Sequence, residues 1–113
     1  MAHTIAVNMT TKDVFNAKRA SSPITSVIDQ PIKIKGFAMA ESTDANGEVK
    51  EVGYVVEEGT NNVFGFVSDI CKQGILDLNE MAQEDPSILK GLQVTFKKGL
   101  SKSGREFYYM HIS

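Results

Sequence analysis

The sequence predicts a mainly β protein, a small five-stranded β-barrel with one helix inserted between its third and fourth strands. Three observations lead to this fold class. Apolar and polar residues alternate in five short runs, which is typical of strands that bury one face. Between the third and fourth runs the apolar spacing becomes helical. The length of 113 residues fits one domain with a single core.

Residues 1–30 are predicted to form a helical N-terminal extension, and residues 31–113 the barrel. A Thr/Asp entry signal predicts a short helix at about 11–19, with Val14, Phe15 and Ala17 as its buried apolar residues. The stretch Ala20–Pro23 interrupts it, and a second helical turn is expected at about 24–28.

The first strand of the barrel is predicted at 31–41. Ile32 and Ile34 point inward by their alternation with lysines. The apolar residues then shift from even to odd positions at Phe37, so Gly36 is predicted to mark a β-bulge.

The second and third strands are predicted at about 49–57 and 62–68. Asn46–Gly47, a strong hairpin-turn signal, precedes the second strand. In the third strand, Phe64 and Phe66 share one face.

A helix is predicted from Ser68 to about Met81, with Ser68 or Asp69 as its N-cap. Gly74 weakens this helix and is expected to bend or shorten it, and Pro86 cannot continue it. The apolar residues with helical spacing are Ile70, Cys71, Ile75, Leu78 and Met81.

The last two strands, at about 91–98 and 104–112, form a hairpin with a glycine-hinged basic tip. If the core set of the final strand is Tyr108, Met110 and Ile112, its outward set is Phe107, Tyr109 and His111.

Three strands, a helix and two strands is the connectivity of the OB-fold barrel, in which the helix closes one end. A five-stranded open sheet with a helix on one face would give the same pattern.

Charge is segregated along the chain although the net charge is only −2. Lysine and arginine are concentrated in residues 1–40 and 90–113, and acidic residues in 41–58 and 69–89. A fold that brings the two basic segments together would create one basic face.

Motifs for catalysis or metal binding are absent from the sequence. A single cysteine, Cys71, and two histidines provide no zinc-ligand spacing, and no hydrolase, zincin or P-loop motif occurs. We therefore expect no enzyme activity, metal or cofactor.

No apolar run approaches the roughly 20 residues of a membrane span, and no signal peptide is recognisable at the N-terminus, so a cytoplasmic protein without membrane contact is expected.

Aromatic rings beside cations are what a surface needs to stack bases and neutralise phosphates. Tyr109 is the best stacking candidate and Phe107 is next, because both lie on the outward face near the basic tip. Stacking and core packing remain open for the other strand aromatics. The candidate nucleic-acid-binding residues are Lys33, Lys35, Tyr54, Phe64, Phe66, Lys97, Lys102, Arg105, Phe107 and Tyr109.

Three segments, Lys12–Ala17 (KDVFNA), Ile32–Phe37 (IKIKGF) and Leu92–Ile112, carry a resemblance to a known family. Together they resemble the single-stranded DNA-binding proteins of small phages of Gram-positive bacteria that replicate linear DNA by protein priming. The resemblance implies a sequence-independent binder of displaced strands that works in the host cytoplasm without metal or cofactor. Single-stranded DNA is the expected partner, recruitment of phage replication proteins stays open, and we expect a monomer or a weak homo-oligomer.

The alternative is a non-enzymatic protein-interaction module on the same barrel. In that case the acidic hairpin at 41–58 would dock onto a basic partner, as in a phage inhibitor or adaptor of a host protein.

Overall fold

The computed structural model describes residues 5–43 and 45–112. They form a mainly β fold in which one curled, mixed sheet makes a half-barrel. The strands are β1 (Ile5–Val7), β2 (Ser22–Pro23), β3 (Pro31–Thr43), β4 (Val49–Glu57), β5 (Val63–Phe66), β6 (Gln93–Leu100) and β7 (Glu106–Ile112). The helices are α1 (Thr11–Ala20) and α2 (Asp69–Glu84), with two short 3-10 helices at Ile24–Val27 and Pro86–Leu89.

The sheet has the strand order β2-β5-β4-β3-β6-β7, and β1 pairs with β3. All neighbours are antiparallel except β2 and β5. The long strand β3 joins the two halves of the sheet, because its first residues pair with β6 and the rest with β4. The register between β3 and β4 shifts between Ile34 and Gly36, which confirms the predicted bulge.

Glycine is required at the bulge because two backbones approach closely there. A Cβ on Gly36 would lie 2.8 Å from the carbonyl oxygen of Val7 and 2.9 Å from that of Asn8. No side chain fits at that distance, so Gly36 lets the backbone at the end of β1 lie close against β3.

The five predicted strands and the helix between the third and fourth are present, but the predicted strand count was wrong. The described residues contain seven strands, and the two extra ones, β1 and β2, lie in the segment predicted to be purely helical. Both are two or three residues long and carry no alternating pattern. They form because the edges of β3 and β5 offer unpaired backbone groups, which is a tertiary effect.

The inner core lies between the concave face of the sheet and α2. It includes Ile32, Ile34, Phe37, Met39, Val55, Phe64, Phe66, Cys71, Ile75, Leu78, Val94 and Phe96.

Helix α2 continues through Gly74, which was expected to bend or shorten it. A Cβ at that position would lie 3.4 Å from the sulfur of Met110, so Gly74 is a contact point between α2 and β7. Ile70 and Met81 are 50% and 37% exposed, because α2 buries only one face.

A second, smaller core lies on the outer face of β3 and β4 beneath α1. It comprises Met9, Ala17, Ala38, Tyr54 and Val56, with Val14, Val52 and Val63 at its margin. Contrary to the prediction, Phe15 is 55% exposed, because the one face that α1 turns to the sheet is occupied by Val14 and Ala17. The predicted helical turn at 24–28 is a 3-10 helix that buries Ile24.

Among the described residues, no helix is both long and apolar enough to cross a membrane.

Candidate nucleic-acid interface

The register of the β6–β7 hairpin divides its side chains into two sets. Phe96 pairs with Met110 and Lys98 with Tyr108, whereas Lys97 pairs with Tyr109 and Gly99 with Phe107. Tyr108 and Met110 pack against the inner core, as the alternation predicts. Ile112, the third residue predicted to point inward, is 37% exposed at the strand end.

The outward face of the hairpin carries an aromatic pair. The ring centroids of Phe107 and Tyr109 are 5.8 Å apart with an interplanar angle of 36°. Across the strand from Phe107 stands Gly99, where a Cβ would lie 2.6 Å from Cζ of that ring. The ring of Phe107 therefore rests on the backbone of β6, and the absence of a side chain at Gly99 makes room for it.

Cations flank the aromatic pair. Lys97 is the cross-strand neighbour of Tyr109, and Lys102 and Arg105 are exposed at the tip. The remaining hairpin lysine, Lys98, forms an ion pair with Glu106 at 2.8 Å, and its pKa is raised by the hydrogen bond and the charge of that carboxylate. The cations of the hairpin without an acidic partner at ion-pair distance in the described chain are thus Lys97, Lys102 and Arg105.

Hydrogen bonds hold the tip in one shape. The backbone N–H of Ser101 donates to the carbonyl of Arg105, and that of Gly104 donates to the carbonyl of Ser101, each at 2.9 Å. The hydroxyl of Ser101 accepts from the N–H of Arg105 at 3.2 Å. Gly104 has a φ of +82°, a conformation that glycine adopts without strain. The two tip cations are therefore presented on an ordered loop.

The two candidate lysines of β3 are placed in different surroundings. Lys33 is the cross-strand neighbour of Gln93 on β6, so it extends the outward row that contains Lys97. Lys35 lies at the bulge, where its Nζ donates to Oδ1 of Asn61 at 2.6 Å. Lys35 therefore belongs to a separate cleft beside α1.

Three aromatic candidates are excluded from stacking because they are buried. Tyr54 is 2% exposed beneath α1, and Phe64 and Phe66 are 6% and 5% exposed in the inner core. Burial raises the pKa of the Tyr54 hydroxyl. The ring of Phe66 packs against that of Phe96 at 5.4 Å. The physical reason is that both faces of β4 and β5 are covered, the inner by the core and the outer by α1.

Two features outside the hairpin, both beside α1, were not predicted from the sequence. Phe15 on α1 is exposed, with the guanidinium of Arg19 4.8 Å from its ring centroid; the spacing of four residues on a helix could have indicated this pair. Four asparagines meet in the cleft beside Lys35. They come from segments far apart in the sequence, so no local pattern signals them.

No cluster of three or more histidine, cysteine or acidic side chains that could hold a metal occurs within the described residues. Cys71 is buried on α2, and desolvation raises the pKa of its thiol. This thiol is therefore a poor nucleophile.

In comparisons with known proteins, no family model, no curated protein and no solved structure matches this chain.

Proposed function

We propose that this protein binds single-stranded DNA independently of sequence through the outward face of the β6–β7 hairpin. The observation that carries the proposal is the Phe107–Tyr109 ring pair flanked by Lys97, Lys102 and Arg105. Phe107 and Tyr109 are half-buried, and the parts of their ring faces that stay open can stack on any base, while cations placed along the same surface neutralise the phosphates between stacked bases.

The topology supports this choice of surface. Counted by the five long strands, the sheet order β5-β4-β3-β6-β7 reads 3-2-1-4-5, with α2 between strands three and four. We interpret it as an OB-type barrel left open between β5 and β7. Oligonucleotides bind OB-folds on the face of strands two and three and on the loops 1–2 and 4–5. In this chain α1 covers the outer face of strands two and three, which are β4 and β5. The accessible part is therefore the hairpin of β6 and β7 with its basic loop, which corresponds to loop 4–5.

The biological role that we propose is the protection of strands displaced during phage DNA replication in the host cytoplasm. The resemblance of Lys12–Ala17, Ile32–Phe37 and Leu92–Ile112 to phage single-stranded DNA-binding proteins supports it. In this role the protein acts as a monomer or weak homo-oligomer beside other phage replication proteins, without enzyme activity, metal or cofactor.

The decisive experiment compares oligo-dT with a duplex of equal length, both longer than the roughly 4–16 nucleotides that one OB-fold covers. Titration followed by tyrosine fluorescence or gel shift should show tighter binding to the single strand. Equal affinity for both would contradict base stacking, and no binding to either would refute the proposal.

A second candidate, a protein-interaction module, is favoured by an apolar groove between α1 and the β3–β4 hairpin. This groove has a volume of 540 Å³ and is lined in part by Met9, Val14, Phe15 and Val49. Phe15 and Val49 are more than half exposed, and the lining also contains one acidic residue, Glu41, and one basic residue, Lys18. The same titration separates the candidates, since a module of this kind has no reason to prefer single strands over duplex.

A further inference from the structure

A cleft of 430 Å³ lies between α1, the bulge of β3 and the turn that joins β4 to β5. It is lined by Asn8, Asn16, Asn61 and Asn62, which are four of the six asparagines of the chain. They reach the cleft from three separate segments. The volume is in the range of small-molecule sites, roughly 300–1,000 Å³.

The carboxamides of the cleft are only partly engaged. Asn61 accepts from Nζ of Lys35, and Nδ2 of Asn8 donates to the carbonyl of Lys35 at 3.1 Å. Within the described chain, the carboxamides of Asn16 and Asn62 make no hydrogen bond to another residue. Each therefore offers a donor and an acceptor side by side, the arrangement that matches the edge of a heterocyclic base.

The charges of the cleft suit an uncharged ligand group better than a bare anion. Lys35 contributes one positive charge and Asp13 one negative charge to its lining. The pKa of Asp13 is lowered by hydrogen bonds from Thr10, with a smaller contribution from Lys35, so its carboxylate is ionised at neutral pH. Ala17, Val56 and Val63 complete the lining with apolar surface.

No hairpin residue lines the cleft, but Lys33 stands between the cleft and the outward face of the hairpin. Lys33, the cross-strand neighbour of Gln93 on β6, precedes Lys35 by two residues and points to the same side of β3 before the bulge. A strand lying across Tyr109 and Lys97 and along Lys33 would therefore reach the cleft.

We propose that the cleft receives one unstacked nucleobase of the bound strand. The amides of Asn16 and Asn62 hydrogen-bond the base edge, while Ala17, Val56 and Val63 contact its ring. Lys35 holds the adjoining phosphate. This inference rests on the proposed function and adds a recognition site that is distinct from the aromatic pair.

The test is the double variant Asn16→Ala/Asn62→Ala, which should keep the fold because both changed side chains are exposed. Its affinity for an intact oligonucleotide should fall on the order of tenfold. An oligonucleotide of the same length made of abasic sites should bind the variant and the wild type equally. The control Asn79→Ala/Gln83→Ala removes two carboxamides from α2 and should bind both strands as the wild type does.

A direct readout is the NMR shift of the side-chain amides of Asn16 and Asn62, expected with the intact strand and not with the abasic one. If the wild type binds the intact strand and the cleft variant binds it equally well, the cleft inference is overturned while the hairpin proposal stands. A wild type that binds neither strand overturns the proposed function and, with it, this inference.

Discussion

At the scale of single residues, the proposed function assigns DNA binding and fold stability to different residues of the final strand. Tyr109 lies on the outward face of β7 beside Phe107, whereas Met110 is turned inward against Gly74 of α2. Tyr109→Ala should therefore cost about 1–3 kcal/mol of DNA affinity and little stability. Met110→Ala should cost about 2 kcal/mol or more of unfolding free energy. Thermal melts and fluorescence titrations of both variants measure these effects.

Tyr108→Ala is the matched control for Tyr109→Ala, since the two residues are adjacent and chemically identical. Tyr108 packs against the inner core, so its loss should reduce stability and leave the affinity of the folded fraction unchanged. A stable Tyr108→Ala that no longer binds DNA would place the binding surface on the opposite face of the hairpin.

Gly99 provides a second residue-scale prediction, because the ring of Phe107 occupies the space above it. Gly99→Ala puts a methyl group 2.6 Å from the end of that ring, and the ring can swing aside at little cost. We expect near-normal stability, disturbed packing of Phe107 against Tyr109, and a severalfold loss of single-strand affinity. The aromatic proton shifts of Phe107 report the displacement; unchanged shifts with normal affinity would contradict it.

At the scale of elements, the hairpin acts as one cationic unit. The triple variant Lys97→Ala/Lys102→Ala/Arg105→Ala should weaken binding to all sequences alike. It should also reduce the slope of log K against log salt by about 2, since each phosphate contact on a single strand contributes roughly 0.7. The control is Lys12→Ala/Lys18→Ala/Lys50→Ala, which removes the same charge elsewhere. Equal losses in the two triple variants would show that the hairpin is not the binding surface.

Helix α1 depends on a reciprocal cap at its first turn. Oδ2 of Asp13 accepts from the N–H of Thr10 at 2.9 Å, and the N–H of Asp13 donates to the Thr10 hydroxyl at 3.1 Å. These bonds lower the pKa of Asp13, so its ionised form stabilises the folded state above the pKa of the unfolded chain. That stability is lost as the pH falls through the lowered value.

Asp13→Asn should therefore be less stable than the wild type at neutral pH, and the difference should shrink below about pH 4. Urea denaturation at several pH values between about 2 and 7, a range that brackets the usual pKa of a carboxyl group, measures the difference in unfolding free energy between the variant and the wild type. Glu80→Gln, an exposed change on α2, controls for the altered net charge. A difference that persists unchanged at acid pH would exclude the carboxylate as its source.

At the scale of the whole molecule, a net charge of −2 coexists with a local cationic surface. The proposed track contains Lys33, Lys97, Lys102 and Arg105, so log K should fall with log salt with a slope of about −3. Titrations at four or five salt concentrations determine this slope. A slope near zero would show that phosphates are not contacted, whatever the affinity.

The order of the long elements could be predicted because it depends on local periodicity. Alternation at Ile32 and Ile34, the parity change at Gly36 and the helical spacing after Ser68 each involve neighbouring residues only. The short strands β1 and β2 could not be predicted, because two or three residues carry no period. They acquire strand geometry from the edges of β3 and β5.

Part of the candidate site could likewise be predicted from local alternation, and part could not. Alternation alone assigns Tyr109 and Phe107 to the outward face of the last strand. It cannot show that Tyr54 lies beneath α1, since alternation reveals which residues share a face but not what covers that face. The asparagine cleft has no sequence signature at all, because residues 8, 16 and 61–62 meet only after folding.

The sequence by itself therefore determined the succession of strands and helix, the bulge, and the face on which each hairpin side chain lies. These follow from the two-residue period of a strand and the 3.6-residue period of a helix. Only the tertiary structure decided which faces stay open to a ligand, because covering a face requires an element distant in the chain. By placing α1 over β4 while leaving the outward face of the β6–β7 hairpin without a covering helix, the fold buries Tyr54, Phe64 and Phe66 and keeps Phe107 and Tyr109 partly exposed, which is why the proposed site rests on these two rings.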